Sequence, residues 1–463
     1  MSNIGLEERM ELDYIIKNGK FVIPREGVTA GCIGIKDEKI MMISKNLDFM
    51  ASKEVIEAKG KYVFPGIIEP HVHFGLGSKL DEDFLTETRS AATGGVSTVI
   101  TYYRQIEPYE KIFDEIKRLG EERSCIDFSI HLGISSEEHI RSVPKYIDDF
   151  GVTSFKFLMA YKGEDAKKMG SAEMTDGLLY DALLILKERR GALPCVHAEN
   201  IELIWNIRRR LMDQGRSDPA AWSDSRPDFT ESEYVRRALF LAELTGCPIY
   251  IVHLGSKKAL EEVRSFRKHY SKVFIETCPP YLTHTKESMT DNLLKIAPPV
   301  HSREDNDALW DGIKDGSIQT VGSDHLALKR KGKGGSIWDA SMGVSGVATL
   351  LPVLLSEGFH KRGIPLERIA EVTSYNAAKI FNLYPQKGSI QIGSDADLTI
   401  VDLEKEKTVT HNMLNSSSDF SIYENWHLKG WPILTMVRGN VVMKDGEVVG
   451  KKGFGKYIRR NPV

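Results

Sequence analysis

Long apolar runs are missing from this 463-residue chain. A membrane-spanning helix needs about 18 or more consecutive apolar residues, and no such stretch occurs, so no membrane span is expected. An excess of one charge is missing too. The 62 Lys and Arg stand against 65 Asp and Glu, a formal net charge of -3. That balance offers no electrostatic footprint for a nucleic-acid partner. Cysteine is scarce: Cys32, Cys125, Cys195, Cys247 and Cys278 are the only five, and none forms a C-x-x-C pair. An odd, scattered set argues against a disulfide framework and predicts a reducing, cytoplasmic setting. The first nine residues carry no apolar segment behind a basic start, so no secretory leader is expected. Tandem repeats and low-complexity tracts are also absent.

What is present is 41% apolar residues, enough to bury a large core. The length allows roughly two to four domain-sized units, or one barrel of about 250 residues or more with a smaller companion. Residues 1–60 read as short strands separated by turn signals such as Asn18-Gly19 and Lys36-Asp37-Glu38. Residues 386–463 read alike, with strands at 396–401 and 435–442 and a hairpin signal at Asp445-Gly446. Two β pieces that bracket the chain are expected to join in one small sandwich. Between them, residues 61–385 alternate strand and helix patterns. Strands are predicted at 62–68, 96–103, 126–133, 152–160, 193–197, 248–254, 272–278 and 317–323, with amphipathic stretches between them. Eight strands, each followed by a helix, predict an α/β fold, a parallel (β/α)8 barrel of the TIM type.

Active sites of such barrels lie at the C-terminal strand ends. The predicted strand ends here are rich in metal-binding residue types. His71 and His73 follow the first strand, and a period of two turns them to the same side. Lys156 interrupts the apolar run of the fourth. His197 and His253 end the fifth and sixth, and Asp324 ends the eighth. Taken singly, each has an ordinary reading as a bonded histidine, a snorkelling lysine or a helix cap. Five strand ends agreeing point instead to a metal centre. Four imidazoles, one carboxylate and one buried lysine suit two divalent ions, with zinc first and manganese or iron as alternatives. An ammonium has no lone pair to give, but a lysine carboxylated by CO2 (N6-carboxylysine) would bridge both ions. Two such ions can hold a bridging hydroxide and polarise a carbonyl. The remaining histidines are expected to be structural or exposed, with His325 supporting its neighbour Asp324.

The chain resembles the cyclic amidohydrolases, specifically their hydantoinase/dihydropyrimidinase group. The matching stretches are 64–73, 155–163, Val196-His197-Ala198-Glu199-Asn200, Ile251-Val252-His253, 276–282, Gly322-Ser323-Asp324-His325 and 393–398. The resemblance implies that His71, His73 and Asp324 hold one metal, that His197 and His253 hold the second, and that carboxylated Lys156 bridges them. It gives Asp324 the task of moving a proton from the hydroxide to the leaving nitrogen, and Tyr161 that of donating a hydrogen bond to the oxyanion. The implied reaction opens a hydantoin or dihydropyrimidine ring to an N-carbamoyl amino acid, in a homotetramer or homodimer acting on a small cyclic amide or imide. The same centre on another ring would make an allantoinase or a dihydroorotase. A non-enzymatic adaptor related to dihydropyrimidinases is a further reading, opposed by the filled ligand positions.

Two segments depart from the family's pattern. Ala297-Pro298-Pro299 stands where Ser-Pro-Pro is common, and Ser341-Met342-Gly343 where Pro-Asn-Gly is common. Those segments resemble the ones that grip the ring's imide through backbone groups, so Ala297 and Met342 are expected at the substrate. Loops at 75–83, 102–108 and 161–175 are expected to select the ring substituent, with Phe74, Tyr102 and Tyr103 as candidate pocket walls. The basic stretch 329–335 reads as a mobile lid or as an ordinary solvated loop; it is not a phosphate loop.

Overall fold

The computed structural model describes residues 11–168 and 172–460. The ends of the two terminal β segments (1–10 and 461–463), and residues 169–171 of the expected substituent loop, lie outside the described residues. Five strands come first: β1 Leu12–Ile23, β2 Gly27–Lys36, β3 Lys39–Ser44, β4 Ser52–Glu57 and β5 Tyr62–Pro65. Eight follow in the middle: β6 Ile67–Val72, β7 Val96–Tyr103, β8 Asp127–Gly133, β9 Ser154–Leu158, β10 Leu193–His197, β11 Ile249–Ile251, β12 Val273–Thr277 and β13 Thr320–Val321. Four close the chain: β14 Leu398–Thr408, β15 His427–Val437, β16 Asn440–Lys444 and β17 Glu447–Val448.

The middle eight pair in parallel in sequence order. The ring closes through His325: a parallel bridge joins Val72 to His325, and His73 N–H donates to the His325 carbonyl at 2.8 Å. Each strand is followed by a helix on the outside. The one at Arg303–Asp315 shows how the sequence sets such an element. Ser302 and Asp305 form a reciprocal capping box at its start, and Gly316 ends it at φ 83°. Strands from both ends of the chain form one nine-stranded sheet in the order β17-β16-β15-β14-β5-β1-β2-β3, with β4 beside β1. Its core gathers Ile16, Phe21, Ile33, Val63, Leu398 and Met436.

One predicted strand is two. The run 62–68 breaks at Gly66: Tyr62–Pro65 pairs with β1 and β14 in the terminal sheet, and the barrel begins at Ile67. Glycine is needed there, because a Cβ would lie 2.3 Å from Ser97 Oγ. The barrel floor is closed by a late segment. Phe128 N–H donates to the Lys456 carbonyl at 3.0 Å, and the buried Arg460 guanidinium donates to Ser154 Oγ at 2.5 Å and to the Ile130 carbonyl.

Candidate metal centre

β6 brings its alternate residues Glu69, His71 and His73 to the barrel interior. His71 Nδ1 bonds Glu276 Oε1 at 2.5 Å, which turns Nε2 toward Asp324 Oδ1, 3.1 Å away. His73 Nε2 lies 2.9 Å from the same oxygen. Asp324 follows Gly322-Ser323 at φ 49°, in the left-handed region, and His253 stands at φ 40°. Non-glycine residues held there store roughly 1–3 kcal/mol each and cluster at functional sites. Two buried carboxylates fix these turns. Ser323 N–H donates to Glu69 at 3.0 and 3.1 Å, and His253 N–H donates to Glu276 at 3.1 Å.

The second group sits on the next rim positions. The registers pair Lys156 with Cys195 and Leu158 with His197, so Lys156 and His197 share a face of adjacent strands, His197 one step nearer the rim. His197 Nε2 is held by Glu199 at 2.7 Å, and Arg226 Nη1 lies 2.9 Å from both Glu199 oxygens. Burial raises the Glu199 carboxyl, but Arg226 and His197 outweigh it and hold it at about 2. The His197 and His253 rings stack edge to face at 4.4 Å, and His253 lies 5.4 Å from His71. Lys156 is 4% exposed, with Nζ 4.5 Å above the Tyr102 ring. Burial pulls its amine down to about 8. Burial likewise lowers His73, to about 3, and lowers His197 and His253, so these imidazoles keep their lone pairs. His71 goes the other way: burial is outweighed by Glu276 and Asp324. At Asp324, burial is outweighed by His71 and His73, and the carboxyl stays below its usual range.

Among the expected ligands, three buried nitrogens have no hydrogen-bond partner: His71 Nε2, His253 Nδ1 and Lys156 Nζ. The Asp324 oxygen comes close to His71 Nε2 without hydrogen-bond alignment. Buried polar atoms are almost always paired. Three orphans from three strands, beside His73, Asp324 and His197, fit a divalent-ion donor set. His73, Lys156, His197, His253 and Asp324 line one cavity together with Tyr161, Ala297 and Met342. His71 lies buried behind His73. The cavity holds about 60 Å³ and adjoins a vestibule of about 440 Å³ that shares Leu76, Tyr161, Leu326 and Met342 with it.

A profile described as "Amidohydrolase family" matches residues 230–442. Over 462 residues the chain is 34% identical to a D-hydantoinase of Geobacillus stearothermophilus, covering 96% of each. This chain belongs to the amidohydrolases, in their hydantoinase/dihydropyrimidinase group. An L-hydantoinase of Paenarthrobacter aurescens is equally similar, 34% identical over 97% of this chain and 98% of that one. The crystal structure of a dihydropyrimidinase from Brevibacillus agri superposes with a TM-score of 0.91 at 28% identity, over 97% of this chain and 99% of that one.

Four supports of the amidohydrolase site were not read from sequence: Glu69, Glu199, Glu276 and Arg226. Glu69 precedes His71 by two residues and Glu199 follows His197 by two, so alternation along a strand could have flagged both. Glu276 and Arg226 meet the histidines only through the fold. Among the proposed pocket walls, Phe74 packs on Phe84 in the core, Tyr102 lies beneath Lys156, and Tyr103 borders a side recess. The stretch 329–335 is pinned: Lys333 is buried with Nζ 2.6 Å from the Gly343 carbonyl, and Arg330 N–H donates to Asp419 at 2.5 Å. His325 supports the centre through its backbone bonds to β6, while its ring bonds Glu87 at 3.0 Å. A second acidic group, Asp127, Asp395 and Asp397, also has its oxygens close together. Lys387 occupies it, 2.9, 3.1 and 2.7 Å from the three carboxylates, so the chain supplies its own cation there.

Proposed function

We propose that this amidohydrolase opens a hydantoin or dihydropyrimidine ring to an N-carbamoyl amino acid. His71, His73 and Asp324 would hold one divalent ion and His197 and His253 a second, with Lys156, as N6-carboxylysine, a ligand shared by both. Zinc is the expected metal, with manganese or iron next. The observation that carries the reading is the set of three orphaned nitrogens, those of Lys156 and His253 on residues lining the cavity and that of His71 behind His73.

The burial that holds the Lys156 amine near 8 leaves a neutral fraction at pH 7. Its nitrogen attacks the carbon of CO2, an N–C bond forms as one C=O π bond opens onto oxygen, and the nitrogen gives one proton to solvent, leaving a carbamate. When bound, the two ions supply an acidified water and a polarised ring carbonyl. Asp324 takes a proton from the attacking water and returns it to the ring nitrogen as the C–N bond breaks. Tyr161 keeps its proton because burial pushes its phenol up, so it donates to the carbonyl oxygen as charge develops there. Glu276 and Glu199 fix the His71 and His197 rings. Backbone groups at Ala297 and Met342 meet the ring's imide. A cavity of about 60 Å³ takes several water-sized groups, which suits a five- or six-membered ring.

A reducing cytoplasm is supported by five free, buried cysteines. A homotetramer or homodimer is supported by Phe229, Phe240 and Leu244, which leave an apolar row exposed on the helix Asp228–Thr245. The deciding experiment loads the protein with zinc and bicarbonate, counts bound metal, and measures turnover of hydantoin, 5-substituted hydantoins of both hands, dihydrouracil, allantoin and dihydroorotate. Two ions per chain and opening of a hydantoin or dihydrouracil are expected. Metal-loaded protein that opens none of these rings overturns the proposal, and opening of allantoin or dihydroorotate alone redirects it to that ring.

A further inference from the structure

One cation in the cavity has no task in this mechanism. Arg104 follows the end of β7 and lines the cavity beside His73, Lys156 and Asp324. No hydrogen bond or ion pair links its guanidinium to a described residue, and Nη2 is buried without a partner. Arg226 differs in having a carboxylate partner, its Nη1 lying 2.9 Å from both Glu199 oxygens. Gly133 leaves the space Arg104 needs, because a Cβ there would lie 2.8 Å from Arg104 Cβ. A guanidinium keeps its charge at any ordinary pH, and its fork of N–H donors matches a carboxylate. The side recess behind it, between Tyr103, Gly133 and Ser135, measures about 10 Å³, room for about one water. A counter-ion must therefore arrive from the main cavity. The ring's own groups are neutral and have partners in Tyr161 and the backbone.

We propose that the substrate is a cyclic amide carrying a short carboxyalkyl substituent, and that Arg104 is the specificity-determining residue that binds this carboxylate. Arg104 lines the same cavity as the reacting centre, which calls for a short arm. This inference rests on the ring-opening reading.

The test compares 5-carboxymethylhydantoin with its neutral isostere 5-carbamoylmethylhydantoin, both hands of each. Metal-loaded wild type, Arg104→Leu and Arg104→Lys are measured, with metal content determined for each. Wild type is expected to favour the acid about tenfold to a hundredfold in kcat/KM, mostly through KM. Arg104→Leu brings that ratio near one, and Arg104→Lys restores part of it. The proposal is overturned if wild type shows no preference for the acid. It is equally overturned if Arg104→Leu slows both substrates alike or sheds metal, which would make Arg104 a support of the Lys156 carboxylate. Opening of neutral rings with rejection of the acid sinks this inference alone. Failure on every ring sinks the reading beneath it.

Discussion

Two clusters of metal-ligand residue types lie at opposite ends of the barrel, and they differ in what satisfies them. At the floor, Asp127 of β8 meets Asp395 and Asp397 from the approach to β14. Lys387 sits among all three, Arg438 Nε reaches Asp127 at 3.1 Å, and Lys39 reaches Asp395 at 2.6 Å. Three negative charges meet three positive ones, and the cluster clamps the terminal sheet to the barrel. At the rim, Asp324 meets two histidines, while buried nitrogens of His71, His253 and Lys156 have no hydrogen-bond partner. The difference teaches that proximity of ligand-type residues does not define a metal site; what matters is whether the chain has already satisfied them. At the N-terminal face such a cluster reads as stability, and at the C-terminal face as chemistry.

The sharpest way to break this contrast is Lys156→Ala. Removing the proposed bridge should abolish turnover and most bound metal, measured together by rate and metal analysis; full metal occupancy would remove the bridge. Lys387→Met is the matching change at the floor. It leaves buried carboxylates without their cation, a loss of about 3–5 kcal/mol, read as a lower melting temperature. Metal per folded chain should stay as in wild type, and loss of metal there would blur the two clusters into one system. Asp324→Asn should keep part of the metal and lower kcat about 10²- to 10⁴-fold; near-normal turnover would show another proton carrier. Tyr161→Phe should lower kcat about 10²- to 10³-fold with a smaller change in KM. The smallest effect belongs to Glu199→Gln, about 10- to 100-fold in metal affinity by competition with a chelator, because only the aim of His197 is relaxed.

The rim was legible in the sequence because its logic is local. A period of two turns His71 and His73 the same way, and the fourth, fifth, sixth and eighth predicted strands each carry one ligand-type residue at or near the end of an apolar run. The strand–helix alternation likewise carried the barrel. The floor was not legible. Asp127 stands 260 residues before Lys387 and 311 before Arg438, and nothing in their immediate neighbours marks them as partners. The break at Gly66 was hidden for a similar reason: the apolar run continues across it, and only the approach of Ser97 in three dimensions reveals the change of sheet. Arg104 escaped because a single arginine after a strand looks like any surface cation until its lack of a partner is seen.

The support beneath Lys156 reaches far along the chain. Tyr102 under the amine stacks on His131 at 4.1 Å, His131 bonds Ser154 Oγ at 2.5 Å, and Ser154 receives Arg460. A polypeptide interrupted ahead of Arg460 would therefore carry every proposed ligand and still lack the prop under the bridging lysine. The prop under the proposed bridging lysine is thus completed by a side chain more than 300 residues downstream of it, so the barrel floor and the rim are built from one continuous stack.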